Sequence, residues 1–373
     1  MTDQPIRIAY IIGKMWAGGV EAVVFNYYRA IDHKKIQFDF FYDADSTVDP
    51  PSDLLEAGAR FIKLPPYQQL PKYIRELRRY LRTEQYTIIH SHLNTMSVFP
   101  LFAAWREHIP VRIAHNHSVP GGHEFKRNTL KYFLRCFAKV FSTDYFACSE
   151  KAGRWMFGDR SFNSGKVYVL KNAVDFDRFI TDSRETEERK KDLGLQDRFV
   201  IGHIGRFTYA KNHHFLLDIF EEIEKERDDA RLLLVGDGEL HGEIVKEIKN
   251  RALKEKVLLI GKVQNPEKYY CLNNVLVFPS VFEGLSLSTV ESQIAGVPVV
   301  ISKAIPEEAI ISDGCVYMDL NEPASKWAET VIVTAQKDIR LSDLAKDYNI
   351  QIQAPKLEAW YLKAMERTKT VKS

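Results

Sequence analysis

The sequence contains little cysteine and no long apolar run, and each absence excludes a class of protein. The four cysteines, Cys136, Cys148, Cys271 and Cys315, form no CxxC pair and no His/Cys cluster with zinc spacing, so they indicate free thiols in a reducing compartment. No stretch approaches the ~18 uninterrupted apolar residues of a membrane span. The first residues, MTDQPIRIAYIIGK, lack the long apolar region and the cleavage site of a signal peptide. We therefore expect a cytoplasmic protein.

A large excess of charge is also missing. The chain has 52 Lys and Arg against 50 Asp and Glu, a net charge of +2, which gives no bulk attraction for nucleic acid. A hydrophobic content of 45% and a charged content of 27% are those of a soluble globular protein. The length of 373 residues is too great for one ordinary domain and fits two.

Apolar, β-rich runs alternate with amphipathic segments along nearly the whole chain. Strands are expected at 6–13, 37–43, 86–92, 111–117, 144–149 and 166–172, and then at 199–205, 231–237, 256–262, 275–280 and 297–302. Several of these runs are almost continuously apolar, which is typical of strands buried on both faces. Alternation with helical segments predicts parallel sheets with helices on both sides.

The highly charged segment 175–198 predicts an interdomain connection with a short helix. The N-terminal domain is then expected at about 1–175 and the C-terminal domain at about 190–350. The last segment, 351–373, contains an amphipathic helix. It either packs back across the domain junction or is the ordinary terminal helix of the second domain.

Two carboxylates that bracket a short loop form the most informative motif. The stretch from Glu283 to Glu291 follows an expected strand and has a glycine, Gly284, directly after the first acid. In a strand–loop–helix context, the loop N–H groups from Gly284 through Leu285 and Ser286 to Leu287 face a phosphate, and the two acids accept hydrogen bonds from sugar hydroxyls. An alternative for Glu291 is a capping box with Ser288.

Two cations, Arg206 and Lys211, follow Gly205 at the end of the first strand of the second domain. An arginine fork and a lysine point charge suit a diphosphate leaving group. A solvated basic loop is the alternative.

Glycines follow several other strands. Gly18 and Gly19 lie between the first strand and a helix, where backbone can approach a ligand closely, although the loop is neither GxGxxG nor a P-loop. Gly236 and the pair Lys262 and Val263 end strands of the second domain, where a nucleobase could stack or bond to backbone. Tight turns explain all of these equally well.

Four histidines, His90, His92, His115 and His117, fall at two strand ends. No carboxylate with suitable spacing accompanies them, so no metal site is expected. His115 or His117 is the candidate for an imidazole that bonds to a sugar, whereas His90 fits a structural role better.

Segment 124–146 interleaves Lys131, Arg135 and Lys139 with aromatic residues at helical spacing. It could rest on an anionic membrane surface, each cation adding about 1 kcal/mol. The favoured alternative is a helix that packs its aromatic residues on the sheet.

Together these motifs resemble the retaining glycosyltransferases of family 4, particularly those of bacterial exopolysaccharide and capsule synthesis. The resemblance covers nearly the whole chain and rests on GGVE (18–21), GRFTYAKN (205–212), LLLVGDGEL (232–240), LIGKV (259–263) and FPSVFEGLSLSTVESQIAGVPVV (278–300). The acid–seven–acid spacing is fairly specific, whereas the other motifs are weak singly. Ser286, where many relatives carry proline or another residue, leaves the choice of donor sugar open.

The resemblance implies the GT-B fold, two facing Rossmann-like domains with a cleft between them. It implies a nucleotide-sugar donor on the C-terminal domain, a glycan or lipid-linked acceptor on the N-terminal domain, and no metal or other cofactor. Arg206 and Lys211 would hold the donor diphosphate, Glu283 the donor sugar and Glu291 the ribose.

The expected reaction is transfer of a hexose or N-acetylhexosamine from a nucleotide diphosphate sugar, with a UDP-sugar as the expected donor, to the acceptor in surface polysaccharide synthesis. Two alternatives stay open. One is an epimerase or hydrolase of nucleotide sugars with the same fold, and the other is a non-catalytic subunit that binds nucleotide sugars.

Overall fold

The computed structural model describes residues 4–16, 18–119 and 125–370. By its internal contacts the chain divides into two compact units. The first contains Met1–Val174 and Asp347–Ser373, and the second contains Asp175–Lys346. The charged segment expected to be a connection thus begins the second unit, where Phe179 is buried and Arg178 pairs with Glu267 at 2.5 Å. The C-terminal helix, Ile350–Thr370, belongs by its contacts to the first unit.

The first unit is a seven-stranded sheet flanked by helices. Its strands are β1 (Ile6–Gly13), β2 (Ile36–Asp43), β3 (Arg60–Leu64), β4 (Ile88–Ser91), β5 (Val111–Asn116), β6 (Asp144–Ala147) and β7 (Val167–Val169). Its helices besides the C-terminal one are α1 (Gly19–Ala30), α2 (Ser52–Glu56), α3 (Leu70–Glu84), α4 (Val98–Arg106), α5 (Phe125–Arg135), α6 (Glu150–Phe157) and α7 (Asp159–Asn163). The strand order is β3-β2-β1-β4-β5-β6-β7, and every pair is parallel.

The second unit repeats this plan with six strands. They are β8 (Phe199–Ile204), β9 (Ala230–Val235), β10 (Val257–Gly261), β11 (Val275–Phe278), β12 (Val299–Ser302) and β13 (Cys315–Met318). The helices are α8 (Ser183–Asp192), α9 (His213–Glu226), α10 (His241–Asn250), α11 (Glu267–Tyr270), α12 (Leu287–Ile294) and α13 (Ala324–Thr334). The order is β10-β9-β8-β11-β12-β13, again with parallel pairs.

In each sheet the strand order reverses at one point, between β1 and β4 in the first sheet and between β8 and β11 in the second. At such a point the helices that follow the two strands pack on opposite faces of the sheet and leave a crevice at the carboxyl edge, where ligands of open α/β sheets bind. The topology therefore directs attention to the loops that follow these four strands.

The predicted parallel sheets are confirmed, but two strands are absent from the sequence-based prediction. Both β3 and β13 lie at sheet edges, and most of their residues are only half-buried. β13 is the short apolar run CVYM, which periodicity alone does not distinguish from a buried helical segment. β3 lacks the continuous run that identifies the central strands, because an edge strand needs fewer apolar residues. Arg60 and Lys63 interrupt β3 for this reason.

The arginine of this edge strand compensates a buried acid on its neighbour. Asp39 on β2 is fully buried and accepts hydrogen bonds from Arg60, Arg7 and Tyr86. Burial alone would raise the pKa of Asp39, but these hydrogen bonds outweigh it and hold the pKa below its usual value. β3 is thus held to β2 by the ion pair of Arg60 with Asp39 as well as by the backbone hydrogen bonds of the sheet.

Candidate functional site

The loops at the carboxyl edge of the second sheet carry most of the predicted site residues. Gly205 and Arg206 follow β8, Gly236 follows β9, and Lys262 follows β10, while Glu283 lies beyond β11. Because the strands are parallel, these loops meet at one edge, and β8 and β11 flank the point where the strand order reverses.

Lys211 and Glu283 form an ion pair at the centre of this edge. Lys211 Nζ lies 2.5 Å from Glu283 Oε1, and the two side chains are only 16% and 12% exposed. Ser280 Oγ donates to the same carboxylate at 3.0 Å. The backbone bond from Val281 N to Ala210 O, at 2.8 Å, ties the two loops together. An ammonium group has three donors, so Lys211 can hold Glu283 and still donate to an anion.

Arg206 has different surroundings from Lys211, although both leave the same loop. Its side chain is 47% exposed and lies 3.6 Å from Glu239 Oε2, which is 63% exposed. Exposed pairs of this kind contribute little, roughly 0–1 kcal/mol. A ligand phosphate could therefore displace Glu239 from the guanidinium at small cost.

The glycines of these loops have a structural explanation. Gly236 has φ +142°, and a Cβ there would lie 2.0 Å from Gly205 O. Gly205 N donates to Val235 O and Gly236 N donates to Gly261 O, each at 2.9 Å. The tight-turn interpretation thus accounts for Gly236, while the same contacts hold the loop of Gly205 in place. Lys262 is exposed and Val263 is half-buried at the end of β10.

Helix α12 points its N-terminus at the same edge. It begins at Leu287 with Ser286 at the N-cap, so the alternative capping box at Ser288 is not formed. Gly284, Leu285 and Leu287 are half-buried, and Ser286 is buried. The N–H groups of a first helical turn have no partners within the helix and favour anions.

Glu291 accepts a hydrogen bond from a partner that no sequence motif indicates. Tyr270 Oη donates to Glu291 Oε2 at 2.5 Å, and Tyr270 itself is fully buried. Burial raises the pKa of Glu291, and the bond from Tyr270 offsets this only in part. Glu291 is thus a fixed, half-buried acceptor on α12 rather than a capping residue.

The loop after β1 is organised by a buried acid. Glu21, 4% exposed, accepts hydrogen bonds from the backbone N–H groups of Trp16 at 2.7 Å and Gly18 at 3.1 Å. A Cβ on Gly18 would lie 2.8 Å from both Glu21 and Trp16, which explains a glycine there. Gly19, exposed, begins α1. The tight turn predicted at Gly18 is therefore present. It places the N-terminus of α1 after β1, where the strand order of the first sheet reverses.

The four predicted histidines lie together on one face of β4 and β5. His92 and His115 are 3% and 0% exposed, and His117 is the least buried at 8%. His90 Nε2 lies 3.1 Å from His115 Nδ1, and His92 Nδ1 lies 2.9 Å from His117 Nε2. Burial lowers the pKa of all four rings, that of His117 to about 3. They are therefore neutral at physiological pH.

Three of these histidines, His90, His92 and His115, offer ring nitrogens within 4.8 Å of one another. Both nitrogens of His90 have partners, since Nδ1 bonds to Tyr361 Oη at 2.6 Å and Nε2 to His115. In the described part of the chain no carboxylate belongs to this group. Among the described residues this group therefore offers an ion only neutral imidazole ligands.

Segment 124–146 exposes an apolar stripe. Glu124 and the side chains of 125–127 lie outside the described residues. Beyond them, Leu130, Phe133, Phe137 and Val140 follow one another at helical spacing and are 51%, 62%, 39% and 58% exposed. Leu134 and Ala138, which lie between these residues in the sequence, are buried. The alternative in which the aromatic residues all pack on the sheet is therefore wrong for Phe133 and Phe137.

Comparison with known proteins agrees with this architecture. Residues 17–178 match the family described as Glycosyltransferase Family 4, and residues 198–336 match the family described as Glycosyl transferases group 1. The Anabaena protein HepE, solved in complex with UDP and glucose, superposes with a TM-score of 0.73 at 18% identity, over 99% of this chain and 100% of its own. Two parallel-sheet units with this similarity define the GT-B class of fold.

Two sequence relatives make the assignment more specific. A Bacillus subtilis (strain 168) protein named as the glycosyltransferase EpsF is 31% identical over 338 residues, 89% of this chain and 88% of its own. The Escherichia coli UDP-Gal:alpha-D-GlcNAc-diphosphoundecaprenol alpha-1,3-galactosyltransferase is 22% identical over 97% of this chain and 98% of its own. The chain belongs to glycosyltransferase family 4, and it is a glycosyltransferase.

Sequence reasoning missed the side chains that support the site. Tyr270 comes from a helix of four residues with no motif, and Ser280 is a common residue at the end of an expected strand. His92 belongs to an HxH pair, which by itself predicts no role for its ring. Each of these three residues lies near a motif in the sequence, but that closeness does not predict which group the side chain bonds to.

Proposed function

We propose that the protein is a retaining, metal-independent enzyme of surface polysaccharide synthesis. In this proposal it transfers a hexose or N-acetylhexosamine from a UDP-sugar to a glycan or lipid-linked acceptor and needs no other cofactor. The observation that most supports this proposal is the ion pair of Lys211 with Glu283. The pair is largely buried, and it lies where the strand order of the second sheet reverses. The UDP in the HepE structure and the UDP-Gal donor in the name of the E. coli relative support this choice of donor.

The second unit is the donor-binding unit of the proposal. Lys211 and Arg206 donate to the diphosphate, and the N-terminus of α12 adds backbone donors. As the sugar–phosphate bond breaks, negative charge grows on the leaving diphosphate, and fixed donors stabilise it. Glu283 accepts hydrogen bonds from donor-sugar hydroxyls, and Glu291, held by Tyr270, accepts them from the ribose.

The first unit is the acceptor-binding unit of the proposal. The Gly18–Gly19 loop offers backbone at a helix N-terminus, and His117 is the neutral imidazole that bonds to a sugar hydroxyl. His115 is fully buried, so His117 is the better candidate of the two.

A substitution of Lys211 tests the donor site. We expect Lys211→Ala to lower kcat about 10²- to 10³-fold because a well-placed donor to the leaving group is lost. Lys303→Ala, which removes an exposed lysine paired with Asp319, is the matched control and should keep full turnover. Turnover is measured as UDP release and as glycan product from a panel of UDP-sugars and polyprenyl-diphosphate-linked acceptors.

Several outcomes would count against the proposal. Wild-type turnover in Lys211→Ala would remove the assignment of the site. Inverted anomeric configuration of the product by NMR would contradict retention, and loss of turnover in EDTA would contradict metal independence. Free sugar or epimerised donor without acceptor would favour the epimerase or hydrolase alternative, and donor binding without any turnover would favour a non-catalytic subunit.

We further propose that the stripe of Leu130, Phe133, Phe137 and Val140 contacts an anionic membrane surface. Apolar side chains that are 39–62% exposed at helical spacing suit the acyl boundary. Lys131, Arg135 and Lys139 lie on the same segment and add attraction for anionic headgroups. Within residues 4–16, 18–119 and 125–370, no helix has the length and apolarity to cross a bilayer.

Sedimentation with liposomes of mixed zwitterionic and anionic lipid tests the membrane contact. The double substitution Phe133→Ser and Phe137→Ser should lower the bound fraction at least tenfold, because two exposed aromatic anchors are lost. Val333→Ser is the control, since Val333 is 63% exposed on α13. Equal sedimentation of the double variant and wild type, or none by wild type, would refute the contact.

A further inference from the structure

The two outer histidines of the array form a hydrogen-bonded dyad. His92 Nδ1 and His117 Nε2 lie 2.9 Å apart, and the two rings stack nearly parallel, 27° between planes. His92 is anchored through its backbone N–H to Ile11 O at 2.9 Å. His117 is anchored through its backbone N–H to Asn94 Oδ1 at 2.6 Å. Both rings therefore have fixed positions at the ends of neighbouring strands.

The remaining nitrogens of the dyad, His92 Nε2 and His117 Nδ1, have no hydrogen-bond partner among the described residues. Two neutral imidazoles carry two protons in total, and one of them makes the bond between the rings. The second proton must then sit on one of the two remaining nitrogens. If His92 donates to His117, the second proton is on His117 Nδ1; if His117 donates, it is on His92 Nε2.

Both remaining nitrogens are buried, so the surroundings of the two rings decide between these arrangements. His92 is 3% exposed and its ring is stacked between Tyr10 and His90, with centroids 4.8 Å and 4.2 Å away. His117 is 8% exposed and directly follows β5, which ends at Asn116, at the carboxyl edge of the sheet where a ligand can approach and supply an acceptor. A buried N–H without an acceptor is costly and rarer than an unused acceptor. The favoured arrangement leaves a lone pair on His92 Nε2 and places the proton on His117 Nδ1.

We propose that His92 is a positioning residue, which fixes His117 in the Nδ1–H tautomer so that this N–H donates to a hydroxyl oxygen of the substrate sugar. The catalytic part of this inference rests on the proposed function; the tautomer itself does not. His117 then acts as a neutral donor, and no proton is transferred. The bond from His92 Nδ1–H to His117 Nε2 thus places the remaining N–H on His117, the ring that lies directly after β5 at the carboxyl edge.

NMR of the protein labelled with ¹⁵N-histidine tests the tautomer directly. Two-bond couplings between ring protons and nitrogens show which nitrogen of each ring carries the proton. We expect His117 to be protonated at Nδ1 and not at Nε2, and His92 likewise. In His92→Phe the ring volume stays but the donor is lost, so His117 should lose its preference for Nδ1–H.

Kinetics of the same variants test the positioning role. We expect His92→Phe to lower kcat about tenfold, the loss of one hydrogen bond, with the donor KM changed less than twofold. His92→Asn, whose amide can donate from nearly the position of Nδ1, should recover most of kcat and the Nδ1–H tautomer. Tyr86→Phe, which removes a buried hydroxyl beside Asp39 in the same unit, is the control for loss of stability and should keep wild-type kcat.

Specific results would overturn the inference. A wild-type His117 protonated at Nε2 would contradict the tautomer, and that measurement needs no variant to fold. Unchanged tautomer and turnover in His92→Phe would remove the role of His92. If the wild type transfers no sugar, the proposed function fails while the tautomer measurement still decides the dyad.

Discussion

At the scale of single residues, the pairing of Lys211 with Glu283 changes what Lys211 contributes to binding. The two opposite charges are 2.5 Å apart and mostly buried, so they nearly cancel at a distance. Lys211 therefore offers directed donors rather than net charge. Net attraction for a diphosphate comes from Arg206, which is half-exposed, and from the N-terminus of α12.

The buried histidine His203 provides a prediction on pH. Its ring is fully buried, and burial, followed by the charge of Lys211, lowers its pKa to about 3. The unfolded chain, with a pKa near 6.5, takes up a proton that the folded chain does not. The stability that His203 provides is therefore complete above pH ~6.5 and is lost as pH falls toward 3. At pH 5.5 the loss is about 1 kcal/mol.

Urea unfolding at pH 7.5 and 5.5 measures this effect. The difference in free energy of unfolding between the two pH values should be smaller in His203→Gln than in wild type by about 1 kcal/mol. His108→Asn, a change at an exposed histidine, should leave the difference unaltered. An equal difference in His203→Gln and wild type would show that the ring is charged in the folded protein.

At the scale of elements, the glycines after the strands differ in what they tolerate. Gly236 has φ +142° and would place a Cβ 2.0 Å from Gly205 O, whereas a Cβ on Gly242, in α10, meets nothing within 4 Å. We expect Gly236→Ala to destabilise the protein by at least about 2 kcal/mol, because both backbone strain and a backbone clash are introduced.

Thermal unfolding of the two glycine variants checks this contrast. Gly242→Ala should be neutral or should stabilise by up to about 1 kcal/mol, the ordinary helix preference for alanine. Gly236→Ala should also weaken UDP binding, since it moves the loop of Gly205. A Gly236→Ala protein as stable as wild type would mean that the loop relaxes freely and does not hold Gly205.

The sequence predicts some elements well for a clear physical reason. Strands β8 and β11 lie inside their sheet, need apolar residues on both faces, and so appear as continuous runs. Edge strand β3 does not, because one of its sides faces no other strand and charged residues are tolerated there. Strand order then brings the loops after β8 and β11 together, so the neighbourhood of Lys211 and Glu283 is predictable.

The direct contacts within the site are less predictable. The ion pair joins residues 72 positions apart and depends on side-chain geometry. The same is true of Glu291, for which a local capping box with Ser288 is the alternative that the sequence offers. Only the structure shows that Ser286 is the N-cap and that Tyr270 donates to Glu291. Local motifs thus predict where a side chain lies better than they predict its partner.

At the scale of the whole molecule, the chain returns to its first unit at the end. After Lys346 it contributes residues 347–373 to that unit. The junction is made by backbone bonds from Val174 N to Tyr348 O at 2.8 Å and from Ile350 N to Val174 O at 3.0 Å. The first unit is therefore discontinuous in sequence. Residues 1–174 supply its sheet, and the C-terminal segment supplies the last helix that packs on it.

The C-terminal helix covers the histidine face of the first sheet with a buried stripe. Its fully or almost fully buried residues recur every three or four positions, at Ile350, Ala354, Leu357, Tyr361 and Ala364. Tyr361 Oη also bonds to His90 Nδ1 and to Tyr10 Oη, each at 2.6 Å. Burying Leu357 and Tyr361 is worth about 2–3 kcal/mol each, a large share of the stability of an ordinary domain.

We therefore expect residues 1–174 alone to lack a cooperative unfolding transition, and a peptide of residues 347–373 added in trans to restore it. Near-UV circular dichroism and urea unfolding measure both states, with the midpoint rising as peptide concentration rises, by mass action. A peptide carrying Leu357→Ser and Tyr361→Ser is the matched control and should restore nothing, because the stripe can no longer be buried. If residues 1–174 unfold cooperatively without peptide, at the midpoint reached with it, the helix is an accessory and the His90–Tyr361 bond does not hold the first unit together.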